Sequence, residues 1–150
     1  MNFIKPDLES FLIALDGLTN QHTAKWGDMT PQRMIEHLSN SIKLSIGDIK
    51  MELEIPKDKI QKAQDFIASE HPMPKNFKAS YVVENEALRN ENLELAIDEL
   101  ACLWVDFELL YSENENLKNS HPNFGELNFK QWLKLHSKHF NHHFEQFGLI

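Results

Sequence analysis

Histidines are concentrated near the carboxyl-terminal end of this chain. Four of its eight histidines, His136, His139, His142 and His143, fall within residues 136–143. A neutral imidazole is a good ligand for divalent cations such as Zn²⁺ and Ni²⁺. A neutral ring in an apolar interior otherwise needs partners for one donor and one acceptor nitrogen. The pattern therefore indicates either a metal site or a set of buried hydrogen bonds.

A helix over this stretch separates its side chains into three arcs when they are projected at about 100° per residue. The inward arc contains Trp132, Leu135, His136, His139, His143 and Gln146. An apolar arc beside it contains Leu133, Phe140, Phe144 and Phe147. The remaining arc, which we expect to face water, contains Lys130, Lys134, Lys138, Asn141 and Glu145. His142 falls at the edge of the inward arc.

The spacing of His139 and His143 is the strongest indication of metal binding. Side chains four residues apart lie on one face of a helix, and the same spacing binds zinc in the H-E-x-x-H motif. The glutamate of that motif is missing, because Phe140 follows His139. The three-residue spacings from His139 to His136 and to His142 could also chelate a cation, so the ligand pair is not unique.

A third ligand is needed, since catalytic zinc is typically held by three protein ligands and a water molecule. His37 lies on a predicted helix and shares its face with Met34, Ser41 and Leu44, which directs it to the core. Residues of facing helices commonly build such sites inside bundles. A hydrogen-bonded core histidine at position 37 is the alternative. We expect Ser41, Trp132, His136 and Gln146 to surround the site, with Gln146 orienting a ligand or a histidine ring.

Apolar residues recur at helical spacing in four places. The predicted helices run from Pro6 to about Leu18, from Pro31 to about Gly47, from about Asn90 to Tyr111, and from Asn128 to Gly148. Thr30 is predicted to cap the second helix, and Asn128 with Gln131 forms a capping-box pattern at the fourth. We interpret His121-Pro122 as a turn that enters the last helix, and assign His121 no role.

The long segment between the second and third helices, residues 48–90, is the least regular. Pro56 is predicted to open a short helix, and Tyr81-Val82-Val83 a brief extended piece. A connection of this length can cross a bundle and leave the helices it joins parallel. We therefore predict an all-α, four-helix bundle with up-down-down-up order, formed by a single domain over residues 1–150.

Composition limits the functional classes. Fifteen basic against twenty-three acidic residues give a formal charge of −8, which argues against nucleic-acid binding. Cys102 is the single cysteine, so neither an intramolecular disulfide nor a cysteine zinc cluster can form. We found no signal-peptide pattern and no apolar run of about 20 residues that could span a membrane. A cytoplasmic location is expected.

Two stretches resemble the DinB-like (YfiT-type) family of four-helix metalloenzymes. The first is residues 25–38, KWGDMTPQRMIEHL, which ends just after His37. The second is residues 121–125, HPNFG, followed by residues 132–149 with HFNHHFEQFGL at 139–149. The second pattern, H-P-x-F-G followed by H-x-x-H-H-x-x-Q-F-G, is similar to an uncharacterised branch of that family. The resemblance covers most of the chain and is loose over residues 48–90.

The resemblance implies one divalent metal held by His37, His139 and His143, with His142 not binding. Zinc and nickel both suit imidazole ligands, and we expect one of these two. The resemblance also implies that the metal activates a low-molecular-weight thiol for transfer to a small electrophile, as a thiol S-transferase would. Cys102 projects away from the expected cavity, so the thiol would arrive as a cosubstrate. A hydrolase using a metal-bound hydroxide and a non-catalytic metal-binding or structural module are the alternatives. A homodimer remains open.

Overall fold

The computed structural model describes residues 2–75, 82 and 86–150. These residues are mostly helical, as predicted, but they also form one small sheet that the all-α prediction did not include. The α-helices are α1 (Leu8–Leu15), α2 (Pro31–Ser45), α3 (Ile60–Ala68), α4 (Leu93–Glu113) and α5 (Phe129–Gln146). A 3₁₀ turn at Lys57–Lys59 precedes α3, and strands β1 (Asn119–His121) and β2 (Gly125–Leu127) form an antiparallel hairpin between α4 and α5.

Side-chain caps mark where α1, α2, α4 and α5 begin. Thr30 Oγ1 accepts a hydrogen bond from Arg33 N at 3.2 Å, and Pro31 occupies the first turn of α2, as predicted. The predicted capping box of Asn128 and Gln131 is also present at α5. The first helix differs from the prediction, because Asp7 is its N-cap and Pro6 lies outside it.

The segment between α2 and α4 contains the short helix that was predicted after Pro56, now seen as the 3₁₀ turn and α3. Of the predicted extended piece, Tyr81 and Val83 lie outside the described residues. The turn predicted at His121-Pro122 is present at residues 122–124, but it joins the two strands of the hairpin, and His121 itself ends β1 and pairs with Gly125. Short strands rich in Asn, Ser and Gly carry little of the β-branched or aromatic pattern by which strands are recognised.

The hairpin is held by two other parts of the chain, the end of α2 and α3. Asn119 donates through Nδ2 to the carbonyl of Ser45 at the end of α2, at 3.0 Å. Gln64 of α3 donates to the carbonyls of Phe124 and Glu126, at 2.9 and 3.1 Å. Gly125 has a φ of +73°, and a Cβ there would lie 3.2 Å from the Ile60 side chain. The turn therefore favours glycine both for its backbone angle and for its close approach to α3.

The core joins α1, α2, α4 and α5. Its largest members are aromatic: Phe11 lies 4.8 Å from Trp104 and 4.4 Å from Phe140 between ring centroids. Aliphatic side chains of α2, including Ile35 and Leu38, are fully buried beside them. Burial of this apolar surface is the main force holding the helices together. None of the helices in the described ranges has both the length and the apolar character of a membrane span.

One arc of α5 does not behave as predicted. Lys138 was expected to face water, yet it is fully buried, and Asn141 of the same arc is also buried. Lys138 Nζ donates to the carbonyls of Phe66 at 2.6 Å and His71 at 2.7 Å, so the end of α3 packs over it. Asn141 Oδ1 accepts from Ile4 N at 2.9 Å. Segments distant in sequence cover this arc, and a helical projection does not reveal them.

Candidate metal centre

Two helices bring the three predicted ligands together. His37 projects from α2, and His139 and His143 project from successive turns of α5. Thr30 caps the start of α2 and Asn128 caps the start of α5. The position of each histidine relative to its own cap therefore determines the face of the helix on which its ring lies. The pair on α5 adds a four-residue spacing that stacks the two rings on one side.

The ring nitrogens converge on a small volume. His139 Nε2 lies 3.0 Å from His37 Nε2 and 3.1 Å from His143 Nε2. One ligand atom from each ring lies within 4.8 Å of those of the other two. Bonds of about 2.0–2.1 Å to a cation would separate two nitrogens by roughly 2.9 Å at a right angle and roughly 3.4 Å at a tetrahedral angle. The three histidines are therefore close enough to bind one metal ion.

Gln146 determines which nitrogen of His143 is available. Its Nε2 donates to the carbonyl of Trp26 at 2.8 Å, which leaves Oε1 facing His143 Nδ1 at 2.7 Å. An amide oxygen can only accept, so His143 Nδ1 carries the proton and Nε2 presents a lone pair to the cluster. A hydrogen bond to the far nitrogen is how proteins orient histidine ligands. Gln146 therefore occupies the orienting position expected from the sequence.

Hydrogen bonds alone satisfy this cluster poorly. Because His143 Nε2 has no proton, its contact with His139 is a hydrogen bond only if His139 Nε2 carries one. That single proton cannot point well at His143 and at His37 together, and an unmet buried contact is costly. A cation that accepts one lone pair from each ring removes the conflict.

The environment keeps the rings neutral, which is the state that binds metal. Burial lowers the pKa of His37 to about 4. Burial, and then the neighbouring His143 and His37, hold the pKa of His139 well below its ordinary value. Burial, and then His37, do the same for His143. All three rings are therefore neutral near pH 7.

The other histidines of α5 lie outside the cluster. His142 is half-buried, with its ring 5.0 Å from that of His143 and 5.5 Å from that of Trp26. His136 is buried and shares a 3.0 Å hydrogen bond between Nε2 and Ser45 Oγ. Ser45 Oγ itself donates to Ile42 O, so His136 Nε2 carries the proton. Among the described residues, His136 Nδ1 has no partner.

A cavity of about 630 Å³ opens beside the cluster. Its wall includes the three clustered histidines and the predicted pocket residues Ser41, Trp132 and His136, whereas Gln146 lies behind His143. Ser41 Oγ donates to Leu38 O of its own helix at 2.7 Å, and Trp132 Nε1 donates to Asn119 O at 3.2 Å. The polar groups of both side chains therefore form hydrogen bonds within the protein, and both residues contribute to the shape of the wall.

Two residues of the wall were not singled out from the sequence. His121 is buried, its Nδ1 accepts from Asn123 N at 3.0 Å, and burial lowers its pKa to about 4. Glu36 accepts hydrogen bonds from Arg89 N at 2.7 Å and Asn90 N at 3.1 Å. Burial raises the pKa of Glu36, but these hydrogen bonds outweigh it and hold the pKa below its ordinary value. The H-P-x-F-G motif was the available signal for His121.

Comparison with known proteins adds no family to this description. No family model matches the chain, and neither a curated protein nor a solved structure is similar enough to be recognised. Function must therefore be argued from the site itself.

Proposed function

We propose that this protein is a metal-dependent enzyme in which His37, His139 and His143 hold one divalent cation that acts as a Lewis acid. The observation that carries the proposal is the convergence of three Nε2 atoms, with contacts of 3.0 and 3.1 Å, at the wall of a cavity. Zinc and nickel both suit neutral imidazole ligands, and we propose one of these two.

We also propose that the chain belongs to the DinB-like family that its sequence resembles. In this proposal, α1, α2, α4 and α5 form the up-down-down-up bundle of a single domain, and residues 48–90 are the crossover. Support comes from the two sequence stretches that carry the resemblance and from the core that these four helices share.

The reaction we propose is transfer of a low-molecular-weight thiol to a small electrophile. A bound divalent cation supplies positive charge that lowers the pKa of a thiol at the site. The sulfur then forms a bond to the electrophilic carbon, the leaving group departs with the bonding electrons, and the thiol proton passes to solvent. Cys102 is exposed on α4 and does not border the cavity, so the thiol comes from outside the protein.

The absence of a free, buried carboxylate beside the cluster, among the described residues, favours a thiol over water. Glu36 borders the cavity, but its carboxylate is engaged by Gln32 and by the backbone of residues 89–90. Among the described residues, Asp28 and Glu86 are the other carboxylates of the wall, and both are exposed. A thiol near a cation loses its proton without a neighbouring base, whereas hydrolysis commonly uses one.

Elemental analysis of protein purified without a polyhistidine tag tests the metal site. We expect one zinc or nickel ion per chain, and loss of that ion in His139→Ala and His143→Ala. His142→Ala is the matched control, because its ring adjoins the cluster without joining it, and it should keep the metal. Full occupancy in either of the first two variants would contradict the ligand assignment.

Turnover is tested on the metal-loaded protein with monochlorobimane as electrophile. The transferase would be supported if the unmodified protein conjugates monochlorobimane with added cysteine or glutathione. The reaction should not occur when the thiol is left out or when His139→Ala replaces the unmodified protein. Hydrolysis of p-nitrophenyl acetate without thiol, combined with no conjugation, would favour the hydrolase. Bound metal with neither activity would favour a non-catalytic module.

A further inference from the structure

The cavity wall changes character along α2. Arg33, His37, Ser41 and Leu44 recur at three- and four-residue steps and all border the cavity. At about 1.5 Å per residue, Arg33 lies about 6 Å along the helix from His37, and Leu44 about 10 Å beyond it on the other side. The histidine cluster therefore lies between a charged end and an apolar end.

The guanidinium of Arg33 marks the charged end. Among the described residues the guanidinium has no ion pair, and the backbone N of Arg33 donates to Thr30 Oγ1. Arg89, which also borders the cavity, is committed to Glu99 at 2.6 Å and to Asn40 at 3.0 Å. Arg33 is only partly exposed and borders the cavity, and no carboxylate of the described residues forms an ion pair with it.

The opposite end is apolar and partly aromatic. Leu44 and Leu135 are buried side chains of the wall, and Trp132 is fully buried behind the hairpin. Ile49, Met51 and Phe124 complete this end. A ligand group placed here would leave water for a hydrocarbon surface, which is favourable at about 0.8 kcal/mol per methylene.

We infer that the cavity binds an amphipathic organic anion, with its carboxylate on Arg33 and its apolar body against Leu44, Leu135 and Phe124. This inference rests on the proposed function, because it names the substrate class of that same site. The histidine cluster lies between the charged and the apolar end of the cavity. The middle portion of a ligand that spans both ends would therefore lie beside the proposed metal. A cavity of about 630 Å³ is of the size that holds such small molecules.

Calorimetric titration of octanoate into protein stripped of metal with EDTA tests the anion contact without contribution from a cation. Arg33→Gln is expected to weaken octanoate binding about ten- to hundredfold, as loss of hydrogen bonds to a charged group does. Arg33→Lys, which keeps the charge, should restore part of the affinity. Lys50→Gln is the matched control, since Lys50 is an exposed cation of the same wall, and it should bind as the unmodified protein does.

A series from butanoate to octanoate tests the apolar end. Affinity should rise with each methylene, by up to about fourfold at full burial. No measurable octanoate binding, equal binding by Arg33→Gln, a larger loss in Lys50→Gln, or no dependence on chain length would each overturn the inference. These outcomes are separable from the metal tests. If the protein as purified contains no metal but still binds octanoate through Arg33, the inferred binding of an organic anion would be supported and the proposed metal-dependent activity would be contradicted.

Discussion

Replacing Gln146 by leucine should weaken metal binding without removing a ligand. The substitution keeps a similar side-chain volume but deletes the acceptor at 2.7 Å from His143 Nδ1, so the ring is free to move its proton to Nε2 or to rotate. Loss of such an orienting contact typically costs ten- to hundredfold in metal affinity, which is about 1.4–2.7 kcal/mol. The lost donor to Trp26 O should lower the free energy of unfolding by about 1 kcal/mol.

The assay is competition for zinc against a chromogenic chelator, with circular dichroism to check helix content. Glu145→Gln is the control, because Glu145 is adjacent in sequence but accepts from Asn141 instead of a histidine. Gln146→Glu keeps an acceptor for His143 and should retain most of the affinity. If the leucine variant is folded and binds zinc as tightly as the unmodified protein, the tautomer argument is refuted.

Three further outcomes follow from buried polar groups. Burial lowers the pKa of His121 to about 4 and of His136 to about 3, so the unfolded chain takes up protons that the folded chain does not as pH falls below 6.5. The free energy of unfolding of the metal-free protein, measured by urea titration, should therefore fall by about 2 kcal/mol for each ring as the pH is lowered from 7 to 5. A free energy of unfolding that does not change over this range would refute the prediction. Lys138→Met should lower the free energy of unfolding by about 2–4 kcal/mol, because three backbone carbonyls lose a charged donor, and Lys134→Met should not. Glu36→Ala should cost about 1–3 kcal/mol in the same titration by removing the acceptor of two partly buried backbone donors, and unchanged stability would contradict its anchoring role.

The cluster could be predicted because its determinants are local. Thr30 and Asn128 cap their helices through side chains three residues or fewer from the groups they satisfy, so the starts of α2 and α5 are readable from the sequence. From those starts, helical spacing alone places His139 and His143 on one face. His37 was found by the same reasoning on α2, although only the folded structure shows that the two helices bring it within reach.

Features that depend on distant partners could not be predicted. Lys138 is buried because carbonyls 67 to 72 residues earlier in the chain close over its ammonium group. The hairpin has few residues typical of strands, and it owes its stability to Asn119 and to contacts with Gln64. His121 joins the cavity wall through that hairpin, so its position could not be deduced from the motif that contains it.

We expect the hairpin and α3 to behave as one cooperative unit, because Gln64 joins them through two hydrogen bonds. A helix of nine residues is too short to persist alone in water, and α3 takes its partners from the hairpin carbonyls and from Lys138. Local opening of either element therefore removes the support of the other. We expect their amide hydrogens to exchange with deuterium together, and earlier than those of α2 and α5.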